Sequence, residues 1–137
     1  MILAFSVAIF TLAQVHTPTS GSSERKAIMD ALRVPTERDL KQKVIFKVGY
    51  LKVSGIWAFA MAEPLQPSGT RLKWDRTHYA QEVKDDVFGF TVIAILKKSG
   101  TKWKCLGYDL GATDLGPVDT FMRKYPEAPK SIFPKIN

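Results

Sequence analysis

The chain has 137 residues, of which 45% are hydrophobic and 24% are charged, and its formal net charge is +7 at pH 7. This length suits one globular domain, and the apolar share is too high for an intrinsically disordered protein. One cysteine excludes an intramolecular disulfide framework and every zinc motif built from several cysteines. No apolar run approaches the ~20 residues that a membrane-spanning helix needs, so we expect no membrane span.

The amino-terminal segment has the pattern of an export signal. Residues 1–13, MILAFSVAIFTLA, contain no charged side chain, and an apolar run of this length suits a signal-peptide core. Thr11 and Ala13 are the small residues expected before a cleavage after Ala13, although no Lys or Arg precedes the run. We therefore expect a periplasmic or extracellular protein with signal peptide 1–13, a flexible mature start at 14–22 and one domain at 23–137. The alternative is that residues 1–13 form a buried helix or strand of the fold.

The next segment predicts two linked helical pieces. A helix should begin near Ser23, a favourable N-cap residue, and continue through ERKAIMDALR. Pro35 should interrupt it, because the residue before a proline is biased away from helical geometry. Thr36 could then cap a second short turn over residues 37–41.

The middle of the chain predicts antiparallel strands. VIFKVGYLKV and IWAFAMAE flank Ser54-Gly55, which indicates a hairpin, and Ser99-Gly100-Thr101 joins FGFTVIAILKK to KWKCLGYDLG in a second. Residues 90–98 are apolar on both faces, so they should form a central strand paired with residues 102–110. A short edge strand is expected at Arg71–Trp74.

The last third predicts a short amphipathic helix and an extended tail. Val118, Phe121, Met122 and Tyr125 recur at helical spacing, and the prolines that follow prevent a longer helix. Ile132 and Phe133 should anchor the tail. The order of elements predicts an α+β domain, with an N-terminal helix packed on a sheet of about four antiparallel strands.

Three phrases carry a resemblance to a known family: SERKAIMDALR, LKVSGIWAFAMAEPLQP and ILKKSGTKWKCLGYDLGATD. They are distributed over residues 22–125 and resemble a family of small exported bacterial proteins that have no established activity. The resemblance implies a helix on a curved antiparallel sheet, like the cystatin and nuclear-transport-factor folds. Ile56 departs from the family's pattern, in which this turn position is usually Asp. Because the family has no assigned catalytic residue, the resemblance transfers none.

The best candidate for an enzymatic constellation is centred on His78 and includes its neighbour Tyr79. If residues 77–86 are helical, His78, Glu82 and Asp85 share one face, with Asp75 nearby, and a His–carboxylate pair could move protons. The simpler interpretation is an exposed ion pair, and a closed apolar pocket around His78 would distinguish the two. We expect no metal site and no cofactor, because HExxH and phosphate-binding glycine loops are absent. Cys105 has no His near it in sequence to activate it, so we interpret it as a small hydrophobe.

The basic residues point to an anionic partner. Lys97, Lys98, Lys102 and Lys104 flank the second hairpin and could form one positive patch, with Trp74 as an exposed contact anchor. Lysines at a sheet edge also protect against strand-to-strand aggregation, which is the alternative explanation. The group contains no Arg, and this disfavours nucleic acid, whose binding usually adds Arg and exposed aromatic residues. We therefore expect a non-enzymatic binding module for an envelope component or an acidic protein. The alternative is a small pocket enzyme or ligand-binding protein that uses His78.

Overall fold

The fold is an antiparallel sheet with a helix before it and a helix after it. The structure, a computed structural model, describes residues 3–4, 6 and 14–136, so the predicted signal peptide lies almost wholly outside this part. The sheet has the strand order β1-β2-β3-β4, and the α+β prediction is confirmed. The strands are β1 (Ile45–Ser54), β2 (Trp57–Leu65), β3 (Gly89–Ser99) and β4 (Lys102–Gly111), and the helices are α1 (Ser23–Leu40), α2 (Ala80–Lys84) and α3 (Gly116–Lys124). No helix among the described residues is long and apolar enough to cross a membrane.

Helix α1 is continuous, so the prediction of two pieces is wrong. Ser22, rather than Ser23, is the N-cap, and its side chain accepts a hydrogen bond from the Arg25 backbone N–H at 3.2 Å. The helix runs through Pro35, although a proline in this position removes one hydrogen bond. The buried stripe on both sides of the proline explains its tolerance, because packing against the sheet holds the two halves in line. This stripe consists of Ile28, Leu32, Thr36 and Leu40.

Both predicted hairpins are confirmed, and each closes through a two-residue turn whose first residue is glycine. Gly55 has φ +59° and Gly100 has φ +60°, whereas Ile56 and Thr101 do not have positive φ. A positive φ at the first turn position only is the pattern of a type II′ turn, which glycine adopts without strain. Ile56 is therefore compatible with this turn.

The central strands β2 and β3 are buried on both faces, as the apolar run at residues 90–98 predicts. The face toward α1 is lined mainly by small side chains, which let the helix approach closely: Ala58, Ala60, Ala62, Val92, Ala94 and Leu96. The opposite face carries larger ones: Trp57, Phe59, Ile93 and Ile95. Strand β3 pairs with β4 in the expected register, with Val92 opposite Leu110 and Ser99 opposite Lys102.

The carboxy-terminal segment covers the face opposite α1. Helix α3 buries Val118 and Phe121, and Ile132 and Phe133 anchor the tail as predicted. The tail is not fully extended, because residues 130–132 form a short 3-10 turn. The Tyr50 hydroxyl donates to the Ile132 carbonyl at 2.8 Å and so ties this turn to β1.

The connection between β2 and β3 forms a third apolar cluster at one end of the sheet. The expected strand at Arg71–Trp74 is reduced to a single bridge between Leu65 and Arg71, followed by a 3-10 turn at Trp74–Arg76. Trp74 packs against Phe88 and Phe90 at centroid distances of 5.1 and 5.3 Å. The connection is therefore a packed unit rather than a surface loop.

The segment before α1 is also more ordered than predicted. His16 and Val53 exchange two backbone hydrogen bonds of 2.8 Å. They form an isolated antiparallel bridge at the free edge of β1. Pro18 is buried, and its carbonyl accepts a hydrogen bond from the Arg25 guanidinium at 3.1 Å. The expectation of a flexible start at 14–22 is corrected to a segment held against β1 and α1.

Candidate functional site

The second hairpin brings three of the four predicted lysines together. Lys97 lies directly opposite Lys104 in the β3–β4 ladder, and Lys102 shares their face because alternate residues of a strand point the same way. Lys98 lies opposite Trp103, which packs on the α1 side, so Lys98 belongs to the other face. We call Lys97, Lys102 and Lys104 the basic hairpin surface.

Aromatic rings support this surface. The Lys97 ammonium lies 4.9 Å from the centroid of the buried Trp57 ring, close enough for a cation–π contact. Trp57 in turn lies 6.1 Å from Tyr125, and the Lys124 ammonium is 5.6 Å from the Tyr125 centroid. Sequence reasoning missed Lys124, because only the packing of α3 on the sheet brings it beside the hairpin.

No carboxylate of residues 14–136 forms an ion pair with the basic hairpin surface. The ion pairs among the described residues include none of its lysines. Like charges directly opposite each other on neighbouring strands are destabilising, so the pairing of Lys97 with Lys104 carries a small cost. Lys102 and Lys104 are exposed and Lys97 is half-buried, so the surface is positively charged and, among the described residues, unpaired.

Trp74 does not belong to this surface, and the prediction that it is exposed is wrong. Its side chain is 4% exposed and lies in the aromatic cluster of the β2–β3 connection. Its charged neighbours Lys73 and Asp75 suggested a surface position, but only the neighbours point outward. Its indole Nε1 is buried and has no hydrogen-bond partner among the described residues. Trp74 is a core residue.

His78 pairs with a carboxylate that the sequence did not indicate. Helix α2 begins only at Ala80, so His78 does not share a helical face with Glu82 and Asp85. His78 Nε2 lies 2.6 Å from Asp39 Oδ1, and since an ionised carboxylate only accepts, Nε2 carries the proton. Asp85 instead accepts a hydrogen bond from Gln81, and Asp75 lies in the 3-10 turn. The predicted constellation is therefore replaced by a pair between α1 and the β2–β3 connection.

Two tyrosines complete what we call the Asp39 cluster: Asp39, His78, Tyr79 and Tyr108. The Tyr79 and Tyr108 hydroxyls donate to Asp39 Oδ2 at 2.7 and 2.8 Å. Burial acts to raise the pKa of Asp39, but the hydrogen bonds from Tyr79, His78 and Tyr108 outweigh it and hold the pKa below its ordinary value. Burial and the bonds to Asp39 raise the pKa of both tyrosines. The carboxylate is therefore ionised and fixed from three sides.

His78 faces solvent rather than a closed pocket. Its side chain is 62% exposed, whereas that of Asp39 is 19% exposed. The imidazole stacks on Tyr79 with ring centroids 4.0 Å apart. The contacts of the described residues leave Nδ1 without a partner, so this nitrogen can accept a proton or a hydrogen bond from solvent.

Cys105 is half-buried and not activated. Burial raises the pKa of its thiol to about 11, and the thiol donates to the Gly107 carbonyl at 3.3 Å. At neutral pH the thiol is therefore protonated. In the part of the chain that the structure describes, no group of three or more His, Cys, Asp or Glu side chains could hold a metal ion.

A cavity of about 340 Å³ opens over β1 and β2 on the face opposite α1. Lys47, Tyr50, Met61 and Glu63 contribute to its lining. None of the residues predicted as a site lies there, and nothing in its local sequence marks it. No protein-family model, no curated protein and no solved structure matches this chain.

Proposed function

We propose that the protein is a non-enzymatic binding module that acts outside the cytoplasm and holds an anionic envelope component or an acidic protein on the basic hairpin surface. The observation that carries this proposal is the direct opposition of Lys97 and Lys104 without a carboxylate partner. An anion bound between the two ammonium groups would offset their repulsion. Export and membership in the exported family belong to the same proposal and rest on residues 1–13 and on the three phrases.

Edge protection explains only part of the surface. Lys102 and Lys104 lie on β4, an edge strand, where lysines prevent pairing with another sheet. Lys97 lies on β3, which is paired on both sides and needs no such protection. Its ammonium lies over the Trp57 ring, and this cation–π contact is the one role of the Lys97 charge within the fold that the described contacts show.

The test compares two quadruple charge reversals with the same change in net charge. Lys97, Lys98, Lys102 and Lys104 are replaced by Glu in one variant. Lys43, Lys47, Lys84 and Lys135, all exposed, are replaced by Glu in the control. The probes are poly-glutamate and vesicles of anionic phospholipid, with neutral vesicles as reference. We expect the hairpin variant to lose at least tenfold in affinity, because each lysine near an anionic surface contributes on the order of 1 kcal/mol.

Salt and a neutral substitution sharpen this result. Binding should weaken toward 1 M salt, where the screening length falls to ~3 Å. Lys97→Met removes the charge and keeps an apolar side chain of similar length beside Trp57, so it should lose affinity while stability falls by no more than the cation–π contact, about 0.5–1 kcal/mol. An equal loss of affinity in both quadruple variants would show that net charge alone attracts the probes, and would refute the hairpin as the site.

A second candidate is a ligand-binding or proton-transfer role for the Asp39 cluster. It is favoured by the arrangement of a buried carboxylate that orients an imidazole whose Nδ1 is free. A compound bound there should shift the imidazole NMR signals of His78 and lose affinity in His78→Gln. Compounds that shift only signals of the hairpin lysines would instead support the binding module.

A further inference from the structure

His16 has one imidazole nitrogen engaged, and the contacts within residues 14–136 give the other nitrogen no partner. Nε2 lies 2.5 Å from Glu24 Oε1, and the carboxylate can only accept, so Nε2 carries the proton. In the neutral ring Nδ1 is then an unprotonated nitrogen with an available lone pair. Half of the side chain is exposed, so Nδ1 is accessible to a solute.

Cleavage after Ala13 would place this histidine third in the mature chain, which then begins Gln14-Val15-His16. A free α-amino group, the two following backbone amide nitrogens and Nδ1 of a histidine in the third position lie within reach of one metal ion. They chelate it in a plane, because Nδ1, unlike Nε2, closes a small ring with the histidine's own amide. Planar nitrogen sites are typical of copper(II) and nickel(II), and copper(II) binds more tightly.

We propose that the mature protein binds one copper(II) ion through the Gln14 α-amino group, the amide nitrogens of Val15 and His16, and His16 Nδ1. This inference rests on the proposed export, because the α-amino group at Gln14 exists only after cleavage. Binding releases one proton from the ammonium group and one from each of the two amides, so it tightens as the pH rises. Glu24 supports the site from outside, since a carboxylate on the second imidazole nitrogen orients the ring and makes it a better ligand.

The backbone hydrogen bonds of His16 should lower the affinity of this site for copper(II). The His16 N–H donates to the Val53 carbonyl at 2.8 Å, and that bond is lost when the amide nitrogen binds copper. The second bond, from the Val53 N–H to the His16 carbonyl, can remain. We therefore expect the protein to bind copper(II) more weakly than the free peptide Gln-Val-His-Thr, by up to roughly tenfold.

The experiment begins with the full chain, made with its own leader in an exporting bacterial host. Intact mass and amino-terminal sequencing establish the mature start and whether its amine is free. Copper(II) chloride is then titrated and followed by electron paramagnetic resonance and visible absorption. We expect one copper(II) per chain, in a planar four-nitrogen environment.

Three comparisons define the site. His16→Ala should lose this signal, and His78→Ala should keep it. A mature chain lengthened by one alanine before Gln14 should also lose it, because the histidine then stands fourth. Gln14→Ser keeps the required backbone atoms and cannot cyclise at the amino terminus, so it should bind as the wild type does.

The proposal is overturned if the mature chain starts elsewhere, if its native amine is blocked by cyclisation of Gln14, or if His16→Ala binds copper as the wild type does. The same preparations, free of copper, serve for the anion-binding test. Correct cleavage without the four-nitrogen signal overturns this inference alone. A chain that keeps residues 1–13 overturns both this inference and the proposed export.

Discussion

Replacing Asp39 by Asn should destabilise the protein more than any other single exchange of a carboxylate for its amide on α1 or α2. Asp39 Oδ2 accepts both tyrosine hydroxyls and Oδ1 accepts the His78 N–H. Asn offers one accepting oxygen, so either the Tyr79–Tyr108 pair or His78 then faces an NH₂ group that cannot accept. The remaining bonds also lose the negative charge that strengthens them.

The expected magnitude follows from these contacts. Hydrogen bonds to a charged group contribute about 1.5–3 kcal/mol, and Asp39 is mostly buried, so we expect a loss of this order in the free energy of unfolding. For a chain of this size the melting temperature should fall by roughly 5–10 °C. Urea unfolding followed by circular dichroism measures the change. Asp85→Asn is the control, because Asp85 is exposed and bonds only to Gln81, and it should change stability by less than about 0.5 kcal/mol.

The pH dependence gives an independent test of the same cluster. The pKa of Asp39 is lower in the folded chain than its ordinary value of 3.8. Stability from this group is therefore fully present above that value and is lost as the pH falls through the folded pKa. The difference between wild type and Asp39→Asn should be constant at neutral pH and shrink below 3.8. A variant as stable as Asp85→Asn, or a difference that grows on acidification, would refute this account of the cluster.

Three further substitutions or reactions test the packing. Gly107→Ala should cost about 1–3 kcal/mol of unfolding free energy, because a Cβ would lie 2.7 Å from the Phe121 ring. The control Gly49→Ala should be nearly neutral, because its Cβ would make only an ordinary contact of 3.7 Å. Equal stability of the two variants in urea would contradict this. Near pH 8, Cys105 should react with a thiol reagent roughly a hundredfold more slowly in the native chain than in the urea-unfolded chain, because burial raises the pKa of its thiol to about 11. Equal rates would argue against a protonated thiol. Trp74→Ala should cost about 3–5 kcal/mol of unfolding free energy, as for a core aromatic residue, and a surface anchor would instead change stability by little.

The parts of the fold that the sequence predicts are those that local chemistry decides. Gly55 and Gly100 occupy turn positions that need positive φ, so both hairpins could be located from the sequence. The continuity of α1 through Pro35 could not, because Ile28 and Leu32 pack on the sheet, Leu40 packs in the cluster of the β2–β3 connection, and this distant packing outweighs the local bias. Trp74 was misplaced for the same reason, since its burial depends on Phe88 and Phe90 rather than on its charged neighbours.

The same distinction between local and distant contacts applies to the candidate sites. The lysines of the hairpin could be predicted because a tight turn brings its two flanks together, and the alternation of side chains decides which of them share a face. The Asp39 cluster could not be predicted, because Asp39 and His78 are 39 residues apart and meet only when the β2–β3 connection packs on α1. Nothing in the sequence around Asp39 distinguishes it from the other acids of the chain.

Lys97 differs from Lys102 and Lys104 in its position in the sheet, and edge protection does not explain its charge. On an edge strand a lysine has a structural role, and this accounts for Lys102 and Lys104. Lys97 lies inside the sheet, where its ammonium lies over the Trp57 ring and its backbone is paired directly with Lys104. Methionine would cover the ring without the repulsion from Lys104, but it would also lose the cation–π contact, which contributes about 0.5–1 kcal/mol at an exposed site. The charge is accounted for if an anion occupies the surface, because the two opposed ammonium groups then attract the same ligand.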